Sequence, residues 1–493
     1  MRRLNLENLA LTESLTARFH RRKILYMNSK PEQFTIGLLL GMADLYNRFW
    51  PEMPEQLRAI GQEAVNQLQS STLTVRLSEV AGTEEQINQA CRKLLSEDID
   101  LLVVTVAPYC SSGVFKPALM SSDVPVLLWP IQTMLELKPE EYDFKAFMYN
   151  HGVHGVQDIA NVLRRHGRAF GVLHGHWKQE DFIRDLESWA QAGRAVRALQ
   201  RANPVQVGGH FEHMLDLQIG SEEFLGKMGI KVQTVSLEKF ADYLGNADPE
   251  SIKACLDRYR DIFTIGDDLD EQMLAKTARG ESALRSIMAQ HDSQACGLNF
   301  ATLCNDPRIA DGLHVAASLL MSEGFGYGGE GDWVIAAFVH SMQQAWGMAS
   351  FSEIFSVGYK DHRLVLKHWG EGNFRMSREK PGLCPSCFDD SIRAEFAIVD
   401  FEFEPGEATL INLNVTPTSN GQLIGIYGEI TPDHLPKCTG PRAVFKPRAQ
   451  DVRKMLSEYA YTGGSHHFAL VKGDCRPMLE KLAKLTGFAC RML

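Results

Sequence analysis

Short apolar, β-prone segments that alternate with helical stretches constrain this chain more than any other feature of its sequence. Thr35–Gly41, Leu73–Val80, Ile99–Ala107, Val124–Pro130 and Ala169–Gly175 read as strands, and Pro54–Ser70 and Thr83–Ser96, each preceded by turn- or cap-forming residues, read as helices between them. Strand and helix in turn predict a doubly wound parallel sheet. Ligands of such sheets sit beyond the carboxyl ends of the strands, where the loops here are Gly41-Met42-Ala43-Asp44, Ala107-Pro108-Tyr109-Cys110 and Trp129-Pro130. No glycine-rich phosphate fingerprint follows any of them, which argues against a dinucleotide or nucleoside triphosphate ligand.

At 493 residues the chain is too long for a single core. A long charged helix predicted over Lys178–Ala202, most simply a solvated face or subunit contact, ends at the Asn203-Pro204 break. A second α/β alternation follows, with strands at Val205–Phe211, Ile230–Ser236 and Ala295–Phe300 and helices at Pro249–Asp261, Leu269–His291 and Ile309–Glu323. From about Phe351 the segments Arg363–Trp369, Arg393–Glu402, Glu407–Val415 and Gly421–Glu429, separated by Gly, Pro, Asn and Asp, predict antiparallel β structure, and a helix over Cys475–Thr486 closes the chain. The expected organisation is therefore two α/β domains, 1–202 and 203–350, followed by a mainly antiparallel β domain, 351–493.

Charge and composition exclude several function classes. The formal net charge is −10, and the longest basic run is Arg21-Arg22-Lys23, so a nucleic-acid partner is not expected. The apolar runs are far short of the roughly 20 residues that cross a bilayer, so no membrane span is expected. Asn5, Glu7, Asn8, Thr12 and Glu13 interrupt any apolar signal region, and the ten scattered cysteines fit reduced thiols. Together these predict a cytoplasmic protein with a small neutral substrate. The pair Cys384-Pro-Ser-Cys387 has no second pair at finger-like spacing and reads as a polar loop rather than a zinc site.

The chemically informative stretch is Gly324-Phe-Gly-Tyr-Gly-Gly-Glu330-Gly-Asp332-Trp333, read as a glycine-rich turn between two helices. Glycine there permits positive φ and close backbone approach. Asp332 is placed to cap the helix that continues through Trp333 and His340, which leaves Glu330 projecting from the turn. On composition alone this is a turn whose acids only cap. However, Gly329-Glu330-Gly331-Asp332-Trp333 resembles the Gly-Glu-Gly-Asp-Trp signature of the L-arabinose isomerases, and further segments resemble the same family in the same order. These are Ser352-Glu353, the strand-like Leu364-Val-Leu-Lys-His368, whose histidine arrives one residue early, and Gly463-Gly464-Ser465-His466-His467-Phe. Upstream, Asn150-His151-Gly-Val-His154-Gly155 and Gly175-His176-Trp177 extend the resemblance over nearly the whole chain.

The resemblance implies an aldose–ketose isomerase whose divalent cation is held by Glu330, Glu353, His368 and His467, with the two glutamates also moving protons, Glu353 as base and Glu330 as acid partner. Two carboxylates and two imidazoles suit Mn2+, with Co2+, Mg2+ or Fe2+ as alternatives. Successive histidines on a strand point to opposite faces, so only one is expected to face the cation: His467 is the choice, with His466 the reserve candidate for that ligand and otherwise a substrate contact. His154 would be a substrate contact supplied by a neighbouring subunit, which implies a homo-oligomer, a trimer or hexamer. The family's substrate loop Ser-Gln-His-Leu-Tyr-Gly appears here as Gly41-Met-Ala-Asp44-Leu-Tyr46-Asn, so Asp44 and Tyr46 are candidate sugar contacts and the sugar is another pentose, a hexose or a deoxy sugar as readily as arabinose. A non-catalytic sugar sensor, or a sugar epimerase or dehydratase on the same site, are the competing readings.

Overall fold

The structure, a computed structural model, describes residues 33–219, 228, 230–386, 395–416 and 419–493. The Arg21-Arg22-Lys23 run, the helix-prone opening and Cys387 lie outside the described residues. The chain forms two compact units, one of Lys30–Arg197 with Pro477–Ala489 and one of Ala198–Arg476 with Cys490–Leu493.

The first unit is built on five parallel strands, β1 (Phe34–Gly41), β2 (Leu73–Leu77), β3 (Leu101–Val106), β4 (Val126–Trp129) and β5 (Gly171–Val172), in the order β2-β1-β3-β4-β5. Every residue of β3 and β4 is buried, as the helices flanking a parallel sheet require. Thr83 and Gln86 form a reciprocal capping box that starts the helix Glu84–Leu95 where the sequence places it. Asp100 accepts from Thr35 N at 2.8 Å and from Arg194, joining the edge of the sheet to the helix Glu180–Gln200.

In the second unit, β6 (Val205–Val207), β7 (Gln233–Val235), β9 (Ala295–Leu298) and β10 (Gly326–Gly329) form a parallel sheet in the order β10-β9-β6-β7. The strand expected over Val205–Phe211 stops at Val207 because Gly208 and Gly209 both turn to positive φ. Similarly, the helix expected over Ile309–Glu323 begins only at His314, after left-handed residues at Ala310 and Leu313. The glycine-rich stretch before Glu330 is not a plain turn between helices but contains the strand β10.

The third sheet has ten strands. These are β8 (Thr264–Ile265), β11 (Ala349–Gly358), β12 (Arg363–Lys367), β13 (Gly382–Pro385), β14 (Ala397–Glu402), β15 (Gly406–Thr416), β16 (Ser419–Ile430), β17 (Pro441–Pro447), β18 (His467–Lys472) and β19 (Ala489–Met492). Six of them, β16-β15-β18-β11-β12-β17, pair antiparallel, and the β16–β17 pairing closes them into a barrel. Leu364, Leu366, Leu410, Ile424, Ile426, Phe445, Phe468 and Leu470 share one buried core. Because strand residues alternate between faces, the neighbours of Leu366 and Phe468, namely Lys367 and His467, belong to the opposite face of the barrel wall. Among the described residues no helix is long and apolar enough to cross a membrane.

The helices beside the second sheet are tied by a buried charge cluster. Glu281, fully buried, pairs with Arg258 and Arg285, while Glu323 accepts from Arg285 at 2.8 Å and from Arg258 at 3.1 Å. Burial pushes the Glu281 carboxyl up, but Arg285 and Arg258 outweigh it and bring it down to about 2. Glu281→Gln leaves two buried guanidinium groups sharing one carboxylate and lowers the unfolding free energy by about 3 kcal/mol at neutral pH, measured by denaturant unfolding. Since the folded-state pKa is depressed, the difference between variant and wild type is full above the ordinary carboxylate range and shrinks as pH falls towards about 2.

Candidate metal centre

Glu330 reaches its place through backbone geometry. A side chain at Gly326 would stand 1.9 Å from the Ala336 carbonyl oxygen, and one at Gly328 2.0 Å from that of Asp332, so β10 can lie against the helix Trp333–Trp346 only with glycine at these two positions. The chain then reverses through Glu330 at φ 58° and Gly331 at φ 80°. A left-handed glutamate is uncommon, and such strain persists where the surroundings enforce it. Here the Glu330 carbonyl accepts from Phe211 N at 2.9 Å, and Asp332 caps the following helix by accepting from Val334 N and Ile335 N.

Glu353 and His467 are directly opposed across the antiparallel pair β11–β18, so their side chains leave the same face of the barrel. Lys367 opposes Glu353 from the other neighbour, β12, and His368 follows at that strand's end. Glu330 Oε2 lies 2.9 Å from His467 Nε2 and 3.2 Å from His466 Nε2, with Oε1 4.0 Å from His368 Nε2. Glu353 Oε1 lies 3.1 Å from His467 Nε2 and 3.2 Å from His368 Nε2. One ligand atom each from Glu330, Glu353, His466 and His467 falls within 4.8 Å of all the others. The Phe351 ring stands edge-on to both His368 and His467 and fills the space behind them.

Each imidazole is held from behind by its own carboxylate. His467 Nδ1 bonds Asp332 Oδ2 at 2.9 Å, His368 Nδ1 bonds Glu371 Oε1 at 2.5 Å, and His466 Nδ1 bonds Asp216 Oδ2 at 2.6 Å. A carboxylate acceptor places the proton on Nδ1 and turns the Nε2 lone pair towards the centre, the arrangement found behind histidine metal ligands. Glu371 is fixed in turn by Tyr327 OH and Gly370 N.

Burial pushes the Glu330 carboxyl up, but His368, His466 and His467 outweigh it and hold it well below the ordinary range. Burial likewise raises Glu353, and His368 and His467 bring it down to about 2. His467 and His368 are raised despite burial, His467 chiefly by Asp332 and His368 chiefly by Glu371. The cluster thus concentrates carboxylate charge that demands a positive counterpart, which protons or a cation can supply. Two atoms discriminate between these. Glu353 Oε1 and His368 Nε2 are buried and 3.2 Å apart, yet neither makes a hydrogen bond. Two oxygen and two nitrogen donors aimed at one point, with two of them lacking a partner, fit a divalent cation.

The structure brings together all four residues named as ligands, Glu330, Glu353, His368 and His467. It also brings His466, against the expectation that successive histidines diverge, because β18 starts at His467 and His466 sits in the bend before it. Asp44, Tyr46 and His154 belong to the first unit, at the carboxyl ends of β1 and β3. There Asp44 accepts from Asn47, the Tyr46 hydroxyl lies 3.4 Å from His151 Nε2, and the His154 ring is 4.8 Å from that of Tyr109. Sequence reading missed Glu371, Asp216 and the second contact of Asp332. Glu371 has a local signal, three residues after His368, whereas Asp216 has none, being 250 residues from its partner.

Comparison with known proteins agrees with this geometry. Three family models match in order: the L-arabinose isomerase N-terminal domain over residues 30–201, the central domain over 223–348 and the C-terminal domain over 348–489. The chain belongs to the L-arabinose isomerase family. An L-arabinose isomerase of a Nocardioides species is 25% identical over 94% of this chain and 94% of its own length. That of Vibrio parahaemolyticus is 22% identical over 92% and 93%, and that of Geobacillus kaustophilus 22% over 83% and 84%. The chain is accordingly an intramolecular oxidoreductase of the aldose–ketose isomerase class. The family generally uses a divalent metal ion, and the Glu/His cluster is where this chain could hold one.

Asp332→Asn keeps a good helix cap but replaces the carboxylate behind His467. Calorimetric titration with Mn2+ is expected to show about a 10- to 100-fold loss of affinity, with thermal stability close to wild type.

Proposed function

We propose that the chain interconverts a free aldose and its ketose, an L-arabinose-like pentose or a related sugar, at a divalent cation held by Glu330, Glu353, His368 and His467. The observation that carries this reading is the convergence of both carboxylates with the Nε2 atoms of His368 and His467, at carboxylate-to-imidazole separations of 2.9 to 4.0 Å. Manganese is the expected ion, with cobalt, magnesium or iron as substitutes. When bound, the ion supplies charge stabilisation for the two neighbouring sugar oxygens between which the carbonyl moves.

Moving hydrogen between C1 and C2 by way of an enediol needs one group to remove a proton and another to return it. Glu330 Oε2 already has two imidazole nitrogens within 3.2 Å, whereas Glu353 Oε1 makes no hydrogen bond. That difference supports Glu353 as the base and Glu330 as its partner. A hydride shift between the same carbons would use these residues only to hold the sugar oxygens. His466, half exposed beside Glu330, is a sugar contact in this reading, as are Asp44, Tyr46 and His154 of the first unit, with His154 supplied by a neighbouring copy in a homo-oligomer, a trimer or hexamer. The division at about residues 202 and 350, the double winding of the two parallel sheets and a cytoplasmic location belong to the same reading.

The test is an aldose panel followed by NMR in deuterated water with added Mn2+. Wild type is expected to form the ketose and incorporate deuterium if the enediol route operates, and Glu330→Gln and Glu353→Gln are each expected to lose about 10³-fold or more in kcat. Near-normal turnover in both variants contradicts the assignment, and a product epimeric with the substrate or short of one water identifies an epimerase or dehydratase instead.

A further inference from the structure

His466 differs from the other two histidines of the cluster. His368 and His467 are buried, and the carboxylates behind them are buried too, whereas the side chains of His466 and Asp216 retain 38% and 44% of their exposure. Asp216 Oδ2 accepts both the His466 backbone N–H, at 3.3 Å, and Nδ1–H, at 2.6 Å. A single carboxylate oxygen therefore fixes the main chain of the bend and the angle of the ring. Asp216 itself lies in the short helical turn Leu215–Leu217, a few residues after Phe211, whose N–H bonds the Glu330 carbonyl. The same loop thus positions the backbone of Glu330 and the ring of His466. His466 Nε2 is 3.2 Å from Glu330 Oε2 but 4.0 Å from Glu353 Oε1, on the half-exposed side of the centre.

We propose that Asp216 is a positioning residue for sugar binding: it holds His466 with Nε2 turned to the open side of the centre, as a hydrogen-bond partner for a hydroxyl of the aldose rather than as a ligand of the cation. The two buried pairs, Asp332–His467 and Glu371–His368, serve the ion, and the exposed pair Asp216–His466 serves the substrate. With Nδ1–H committed to a carboxylate, Nε2 is the one ring nitrogen left to meet a sugar hydroxyl, which can donate or accept. Without the carboxylate the ring is free to rotate or to change tautomer, which misplaces that nitrogen while leaving the ion's own donors as they were. This inference rests on the proposed function only for the identity of the ligand.

The experiment compares wild type, Asp216→Asn, Asp216→Glu, His466→Gln and the double variant Asp216→Asn/His466→Gln. Four readouts are taken: Mn2+ titration by calorimetry, titration of the Mn2+-loaded protein with L-arabinitol as a non-isomerisable polyol, steady-state kinetics on the aldose that wild type turns over, and 15N shifts of histidine-labelled protein. Asp216→Asn is expected to weaken L-arabinitol binding and raise KM about 10-fold, with kcat changed less and Mn2+ affinity within about 2-fold of wild type. Asp216→Glu is expected to recover part of the loss, and the double variant to be no worse than His466→Gln alone, because residues acting as a unit are not additive.

Loss of Mn2+ affinity in Asp216→Asn comparable to that of Asp332→Asn overturns the proposal, as do additive effects in the double variant or an unchanged KM and L-arabinitol affinity. The 15N spectrum separates this failure from failure of the functional reading. If wild type yields no ketose from any aldose while Asp216→Asn shifts only the His466 nitrogens, the isomerase reading falls and the positioning of His466 stands. If those nitrogens do not move, the positioning itself is wrong.

Discussion

The site depends on one antiparallel register. Pairing β11 with β18 so that Glu353 faces His467 sends a carboxylate and an imidazole out of the barrel wall side by side. A shift by one residue would turn both into the apolar interior occupied by Phe468 and Leu470, where neither could find a partner. The barrel's closure through β16 and β17 leaves that register no free edge along which to slip. Rigidity of the wall is thus the first condition for two donors to share one point.

The second condition is delivery of Glu330 from another sheet. Its left-handed backbone costs on the order of 1 to 3 kcal/mol. The turn is held by the cap at Asp332, by the Phe211 N–H and by Gln206, which donates to the Gly331 carbonyl at 2.8 Å. Asp332 links the two conditions, since one of its oxygens begins the helix that fixes the turn and the other orients His467 on the barrel. A single carboxylate therefore ties the backbone of one ligand to the ring of another.

Legibility in the sequence followed the range of the interaction. The helix over Thr83–Ser96 was visible because the turn- and cap-forming residues that start it are local, and the strands of the first sheet were visible because burial on both faces leaves them continuously apolar. The glycine run before Glu330 was visible as a place of close approach, but that it contains β10 was not, because glycine carries no strand propensity and the helix Trp333–Trp346 imposes the strand. His368 and His467 emerged from motif resemblance, whereas the start of β18 at His467, and hence the inward turn of His466, is set by pairing with β11. Glu371 is marked only by its place three residues after His368, and Asp216, 250 residues from its partner, acts through folding alone.

Crystals grown with Mn2+ and measured at the manganese absorption edge test the central claim most directly. The account predicts one strong anomalous peak per chain, within bonding distance of carboxylate oxygens of Glu330 and Glu353 and of the Nε2 atoms of His368 and His467, with His466 Nε2 turned to the open side. An anomalous peak elsewhere, or none while these four side chains keep hydrogen bonds only to one another, contradicts it.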